Sequence, residues 1–347
     1  MTDKENILKK IENAIGQGNT SEQETWLRIK QLCTGELQST LLNTPPKNLT
    51  QLTEEFFAGK KLRNMSTGFP SLDKATGGFC EGELVVVGGR PAMGKSLFLL
   101  HIGLNMSKQY PVMYLSYDLS DYLLFSRIIS IMSGVPPFRT VQNQLTAEEK
   151  NRLELAQKEL SNYRLTINAE ACNSIDMLVE YCIQQIANQG VKVIILDFLQ
   201  MLNYKHLRRY NRDAEIDEIC KRLRDLAKEY KVCIITASSL NRGVEGRTGL
   251  DGKRPQLSDL RDSGSIEQMA DKVLLLHRPE YYGIIEDCNG NSLRGLLEVI
   301  VAKNVAGITG DVRLMFRSEL GKIEDISSDF IDKIRSVGAD FKEMPPF

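Results

Sequence analysis

The 347-residue chain is 42% apolar and 26% charged, the balance of a soluble globular protein with ample core-forming side chains. Its formal net charge of −1 supplies no global basic field, so any nucleic-acid surface has to be a local patch. No apolar run approaches the ~20 residues of a membrane span and the first residues lack a signal-peptide core, so a cytoplasmic protein without membrane contact is expected.

Residues 1–43 are polar, with Ile7, Ile11 and Ile15 at helical spacing, and predict a short helical extension too small for its own core. Asn43-Thr44-Pro45-Pro46-Lys47 punctuates the chain, and Leu49, Leu52, Phe56 and Phe57 share one face of a following helix. That face packs either on its own domain or on a neighbouring subunit. Residues 44–65 therefore read as linker and linker helix, residues 66–320 as the main domain, and residues 321–347 as a tail.

From Thr67 onward apolar strand-like runs alternate with helical ones. Strands are expected at Leu84–Gly88, Val112–Tyr117, Val191–Asp197, Val232–Ala237 and Val273–His277, with helices at Leu145–Leu160, Ile175–Asn188 and Ala214–Tyr230. Strands that are apolar throughout, separated by amphipathic helices, predict an α/β fold whose largely parallel central sheet is covered on both faces. Leu296–Lys303 and Asp311–Phe316 flank a Gly-containing turn and predict a C-terminal antiparallel hairpin. Seven cysteines without C-x-x-C spacing and three scattered histidines argue for reduced thiols and against zinc.

Gly89-Arg90-Pro91-Ala92-Met93-Gly94-Lys95-Ser96 fits the phosphate-loop pattern G-x-x-x-x-G-K-[ST], between an apolar strand and a helix. Backbone N–H groups of such a turn and the helix N-terminus form a donor cradle for phosphate oxygens. Lys95 then reaches the terminal phosphates and Ser96 is a ligand for Mg²⁺, which together predict a nucleoside triphosphate bound with Mg²⁺. Asp197 ends an apolar strand, where a carboxylate emerges beside that loop and serves as the second metal residue. Asp118 also ends a strand; it is either a base for the attacking water or, with Ser120, a helix cap.

Four stretches taken together resemble the DnaB-type replicative helicases: Ser66–Asp73, the phosphate loop, Asp197-Phe198-Leu199-Gln200 and Ser239-Leu240-Asn241-Arg242. The most specific likeness is the stretch from Arg254 to Gln268, which includes Ser258-Asp259-Leu260-Arg261-Asp262-Ser263-Gly264. It also counts against a recombination- or clock-type RecA-like ATPase, whose domains open with a similar Ser66–Pro70 motif. The resemblance, over residues 48–317, implies a RecA-like P-loop NTPase domain in a homohexameric ring. It further implies ATP at subunit interfaces, single-stranded DNA in the channel, and a primase or helicase loader as partner. By family pattern Lys95, Asp118, Asp197 and Lys303 are catalytic, while Arg242, Arg261, Asp262 and Gly264 match positions on the DNA backbone. Arginines and glycine N–H groups suit phosphate contacts that ignore sequence. The basic runs Lys205–Arg212 and Arg242–Arg254 fit the same channel surface.

Four departures from the family pattern stand out. Asp118 replaces a glutamate, Ser239 a glutamine that senses the γ-phosphate, and Val305 the arginine of a Lys–Arg pair offered across the subunit boundary. Residues 1–43 show no clear likeness to the family's N-terminal domain, and a shortened N-terminal region of about 43 residues is expected. A helicase with slowed hydrolysis is expected, with a DnaB-like loader, regulator or mimic as the alternative.

Overall fold

A computed structural model describes residues 47–58, 64–142, 144–204, 212–247, 252–260 and 263–326. The chain divides into two compact units, Met1–Lys61 and Leu62–Phe347. In the first, α1 (Leu49–Phe57) starts at a reciprocal cap: Asn48 Oδ1 accepts from Gln51 N, and Gln51 Oε1 from Asn48 N. Leu49 and Phe57 are exposed on it.

In the second unit the antiparallel pair β1 (Asn64–Met65) and β2 (Phe79–Cys80) brackets α2 (Pro70–Thr76). The chain then builds β3 (Leu84–Gly89), α3 (Lys95–Ser107), β4 (Val112–Ser116), α4 (Asp121–Ser133) and α5 (Pro137–Val141). After α6 (Ala147–Leu160) come β5 (Leu165–Asn168), α7 (Ile175–Gln189), β6 (Val193–Asp197), α8 (Arg212–Tyr230) and β7 (Cys233–Ser239). Two short helices follow, α9 (Gly243–Gly246) and α10 (Ser263–Met269), then β8 (Lys272–His277), β9 (Leu296–Asn304), β10 (Gly310–Arg317) and β11 (Lys322–Asp325).

These strands form one nine-stranded sheet in the order β5-β4-β6-β7-β3-β8-β9-β10-β11. It is parallel from β5 through β8 and antiparallel beyond. Helices on both faces explain why β3 is apolar at every position before its glycines. Val85 and Val87 pack against Phe98, Leu99 and Ile102 of α3 on one face, and Leu84 and Val86 against Ile219 and Leu223 of α8 on the other. Burying each such side chain contributes roughly 1.5–3 kcal/mol.

The expected strands and hairpin are all present within one or two residues of their anticipated ends. Among the elements whose bounds were not anticipated are α4, β5 and β11. The α4 helix is apolar on both faces, with Leu124 and Ile128 buried and Tyr122 and Phe125 exposed, so its periodicity is blurred. The edge strand β5 is only half-buried. Strand β11 carries Ile323 as its single apolar residue, yet it pairs with β10 along Leu314–Arg317, and Ile323 N donates to His101 Nε2 at 3.1 Å. The sheet therefore runs to Asp325, past residue 320 where the sequence suggested a tail.

The connection from β3 to β4 crosses β7 and β6, which places a topological switch beside β3. Register sets Gly89 opposite Ser239 and Ser116 opposite Asp197, so the strand ends that carry the motifs open on one edge of the sheet.

Candidate active site

The phosphate loop leaves β3 at Gly89 and enters α3 at Lys95. Ala92 and Gly94 both take positive φ, 63° and 91°, and Met93 between them is buried as an anchor in the core. Gly94 admits no substitute: besides its φ, an added Cβ would lie 2.9 Å from the Phe316 ring. The ring is held in turn by the Arg278 guanidinium, 3.8 Å above its centroid, whose NH1 donates to Ala92 O.

Lys95 Nζ donates to Gly89 O at 2.8 Å and Arg90 O at 3.1 Å, within the loop it serves. Burial lowers its pKa to about 8, with Arg90 adding to the effect and Asp197 and Asp118 opposing it. Asp197 is almost fully buried at the end of β6. Burial raises its pKa, while hydrogen bonds from Ser96 and Tyr114 and the nearby Lys95 charge favour the carboxylate. Tyr114 OH donates to Asp197 Oδ2 at 2.9 Å, and burial together with that carboxylate pushes the phenol well above its ordinary range.

Asp118 is not the cap of α4: Ser120 takes that place and accepts from Leu123 N. Asp118 instead faces a cavity of about 690 Å³ whose walls include Lys95, Ser96, Arg127, Asp197 and Phe316, a volume within the range of small-molecule sites. The donor set suits a magnesium-bound nucleotide. A glycine-shaped cradle at a helix N-terminus meets anions, and a hydroxyl next to a buried carboxylate offers the oxygen ligands a hard cation takes.

Sequence reasoning missed Arg127, Phe316 and Tyr114. A signal existed for Arg127, the one cation within the apolar run of α4, whereas Phe316 comes from a strand distant in the chain. Lys303 does not line this cavity; its Nζ donates to Glu267 O at 2.6 Å, at the C-terminal end of α10 where a cation is favoured. Val305, at the hairpin turn, is exposed.

Of the residues matched to DNA contacts, Arg242 and Gly264 are exposed, while Arg261 and Asp262 lie outside the described residues, as do Lys205–Asn211. The remaining cations of the two basic runs have internal partners. Arg212 pairs with buried Glu215, Arg247 with Asp259, Arg254 with Asp311 and Glu298, and Lys253 donates to Glu245 O. These pairings turn Arg212, Arg247, Lys253 and Arg254 inward, against a reading of the second run as open channel surface beyond Arg242, while the first run's other cations lie outside the described residues. At position 239 the backbone N–H donates to Gln200 Oε1, and Gln200 Nε2 donates to Ser238 Oγ.

The family model for the DnaB-like helicase C-terminal domain matches residues 64–325. A probable replicative DNA helicase of Trieres chinensis is 34% identical over 267 residues, 76% of this chain and 58% of that protein. Replicative DNA helicase DnaB of Geobacillus stearothermophilus is 32% identical over 78% of this chain and 58% of its own length. The chain thus spans less than two thirds of these curated relatives. Among solved structures, an ATPase domain aligns with a TM-score of 0.71 at 30% identity, over 80% of this chain and 97% of that domain. The structure of a DnaB-like replicative helicase, described with its interactions with primase, aligns with a TM-score of 0.74 at 27% identity, over 92% of this chain and 76% of the other.

Proposed function

This chain belongs to the DnaB-like helicase C-terminal domain family, and on that premise we propose that it is an ATP-dependent DNA helicase of the replicative ring type, translocating on single-stranded DNA during replication. The observation that carries the reading is the convergence of Lys95, Ser96, Asp118 and Asp197 on one cavity at the switch point of the sheet. ATP binds along the loop from Gly89 to Ser96, with its phosphates on the backbone N–H groups and Lys95. Ser96 and Asp197 would hold Mg²⁺, which would neutralise phosphate charge when bound. Asp118 orients and deprotonates the attacking water. Exposed Arg242 and Gly264, with Arg261 and Asp262, bind the DNA backbone.

Copies of the chain assemble as a homohexamer, with ATP at each interface and Lys303 offered to the neighbouring cleft. A primase or helicase loader engages the ring in the cytoplasm. Three side chains favour a second reading, a DnaB-like ring protein with weak hydrolysis acting as loader, regulator or mimic: Asp118 is short, Ser239 is short, and Val305 brings no charge.

Unwinding of a forked duplex with a 5′ tail, run beside Lys95→Ala, distinguishes the two. Strand separation that needs ATP and disappears in Lys95→Ala supports the motor. Binding of ATP and DNA without separation supports the second reading, and no magnesium-dependent ATP binding removes both.

A further inference from the structure

We infer that the Arg90–Glu245 ion pair links the phosphate loop to the loop carrying Arg242, coupling nucleotide state to DNA affinity where Ser239 is too short to do so. The inference rests on the DNA-translocating reading above.

The Arg90 guanidinium turns toward the 240s loop. Its Nε and NH2 donate to Glu245 Oε1 at 2.9 and 2.5 Å, and its NH1 donates to Leu240 O at 2.8 Å. The Arg90 side chain is only 11% exposed, whereas that of Glu245 is 48% exposed. A half-solvated ion pair adds little to stability. A guanidinium fixed by three charge-assisted bonds does, however, set a geometry.

Both ends of this link adjoin groups that the proposed function uses. On the nucleotide side the Arg90 carbonyl accepts from Lys95 Nζ, the ammonium that meets the terminal phosphates. Lysine has three N–H donors, and two already go to the Gly89 and Arg90 carbonyls. The third is free for one phosphate oxygen, and a second oxygen that draws the ammonium off its longer bond, to Arg90 O at 3.1 Å, loosens the hold on the Arg90 peptide. On the DNA side Glu245 lies on α9, which starts directly after Arg242. The same loop is tied to the Arg254–Gln268 stretch by Asn241 N donating to Asp259 O at 2.7 Å and by the Arg247–Asp259 pair.

Packing supports a stiff connection. A Cβ on Gly88 would lie 2.8 Å from Leu260 and 3.3 Å from Leu240, so both segments rest against β3 immediately before the phosphate loop. Gln200, from the end of β6, occupies the hydrogen bonds around Ser239. Arg90 is thus the loop's own side chain reaching the DNA-side segment directly.

The test measures affinity for oligo-dT by fluorescence anisotropy, with Mg-ADP and with a non-hydrolysable ATP analogue, for wild type, Glu245→Ala, Glu245→Asp and the exchange Arg90→Glu/Glu245→Arg. The wild type should bind DNA with affinities that differ between the two nucleotides by about 5-fold or more. Glu245→Ala should bring that ratio close to one while nucleotide affinity and the KM for ATP hold and the DNA-stimulated kcat falls. Glu245→Asp and the exchanged pair should each regain part of the ratio. A full ratio in Glu245→Ala overturns the inference. So does a ratio lost together with nucleotide affinity, because the pair would then only be holding the loop in shape. A wild type whose DNA binding ignores nucleotide, or that binds no DNA, overturns the DNA reading and the inference with it, which the variants alone would not do.

Discussion

Asp118 ends its carboxylate one methylene short of a glutamate, and Val305 presents an isopropyl group where the family pattern has a guanidinium. Neither change disturbs the fold, since Asp118 faces the cavity and Val305 sits exposed at the hairpin turn. Their effect falls on charge: as the bond to the γ-phosphoryl breaks, negative charge develops on the leaving β-phosphate oxygen, and an arginine supplied in trans is worth about 10³–10⁵ in rate where it acts. Val305→Arg should therefore raise the DNA-stimulated kcat by at least about tenfold, remaining below that range because Asp118 is unchanged. Steady-state ATPase assays with and without oligo-dT check this, and an unchanged kcat would show that the hairpin does not approach a neighbour's nucleotide. Lys303 bears on the same point, because its amine is engaged by the Glu267 carbonyl within its own chain and has to leave it to serve elsewhere.

At the scale of elements, β11 pairs with β10 and is tied to α3 by one histidine. Nε2 of buried His101 accepts the Ile323 N–H, so the ring is neutral with its proton on Nδ1, and the Gly321 carbonyl at 3.4 Å is a contact. Burial lowers the His101 pKa to about 4, far below the ordinary value, and His277 is lowered to about 4 as well. The unfolded chain then binds more protons than the folded one as pH falls from about 6.5 to 4, so stability is complete above that window and drains away within it. His101 alone contributes up to about 3 kcal/mol of that loss. Urea denaturation at pH 7.5 and 5 should show a smaller pH effect in His101→Leu, with lower stability at pH 7.5 from the unpaired Ile323 N–H; an equal pH effect would exclude His101 as the cause. This dependence was hidden in the sequence, because Ile323 sits in a run of charged residues with no strand-like alternation. By contrast α8 was legible: Ile216, Ile219, Leu223 and Leu226 recur at helical spacing and all are buried. Asp197 was legible too, because an apolar run that stops at a carboxylate marks a strand end. Arg127 and Phe316 were not, since a wall built by three-dimensional closure has no local spacing to betray it.

Across the whole molecule, the order of the sheet decides how the cavity is assembled. Its floor comes from the ends of β3 and β6, but part of its wall, Phe316 and Gly321, belongs to the last stretch of the sheet to be made. A chain emerging from the ribosome therefore completes its phosphate loop long before the nucleotide pocket has a side. Photolabelling of arrested nascent chains with azido-ATP should begin only once Gly321 has cleared the exit tunnel, and earlier labelling would show that the loop captures nucleotide unaided. On the expected outcome the late wall is a safeguard in time: a subunit still lacking it does not retain fuel, and only a completed one is ready to be loaded.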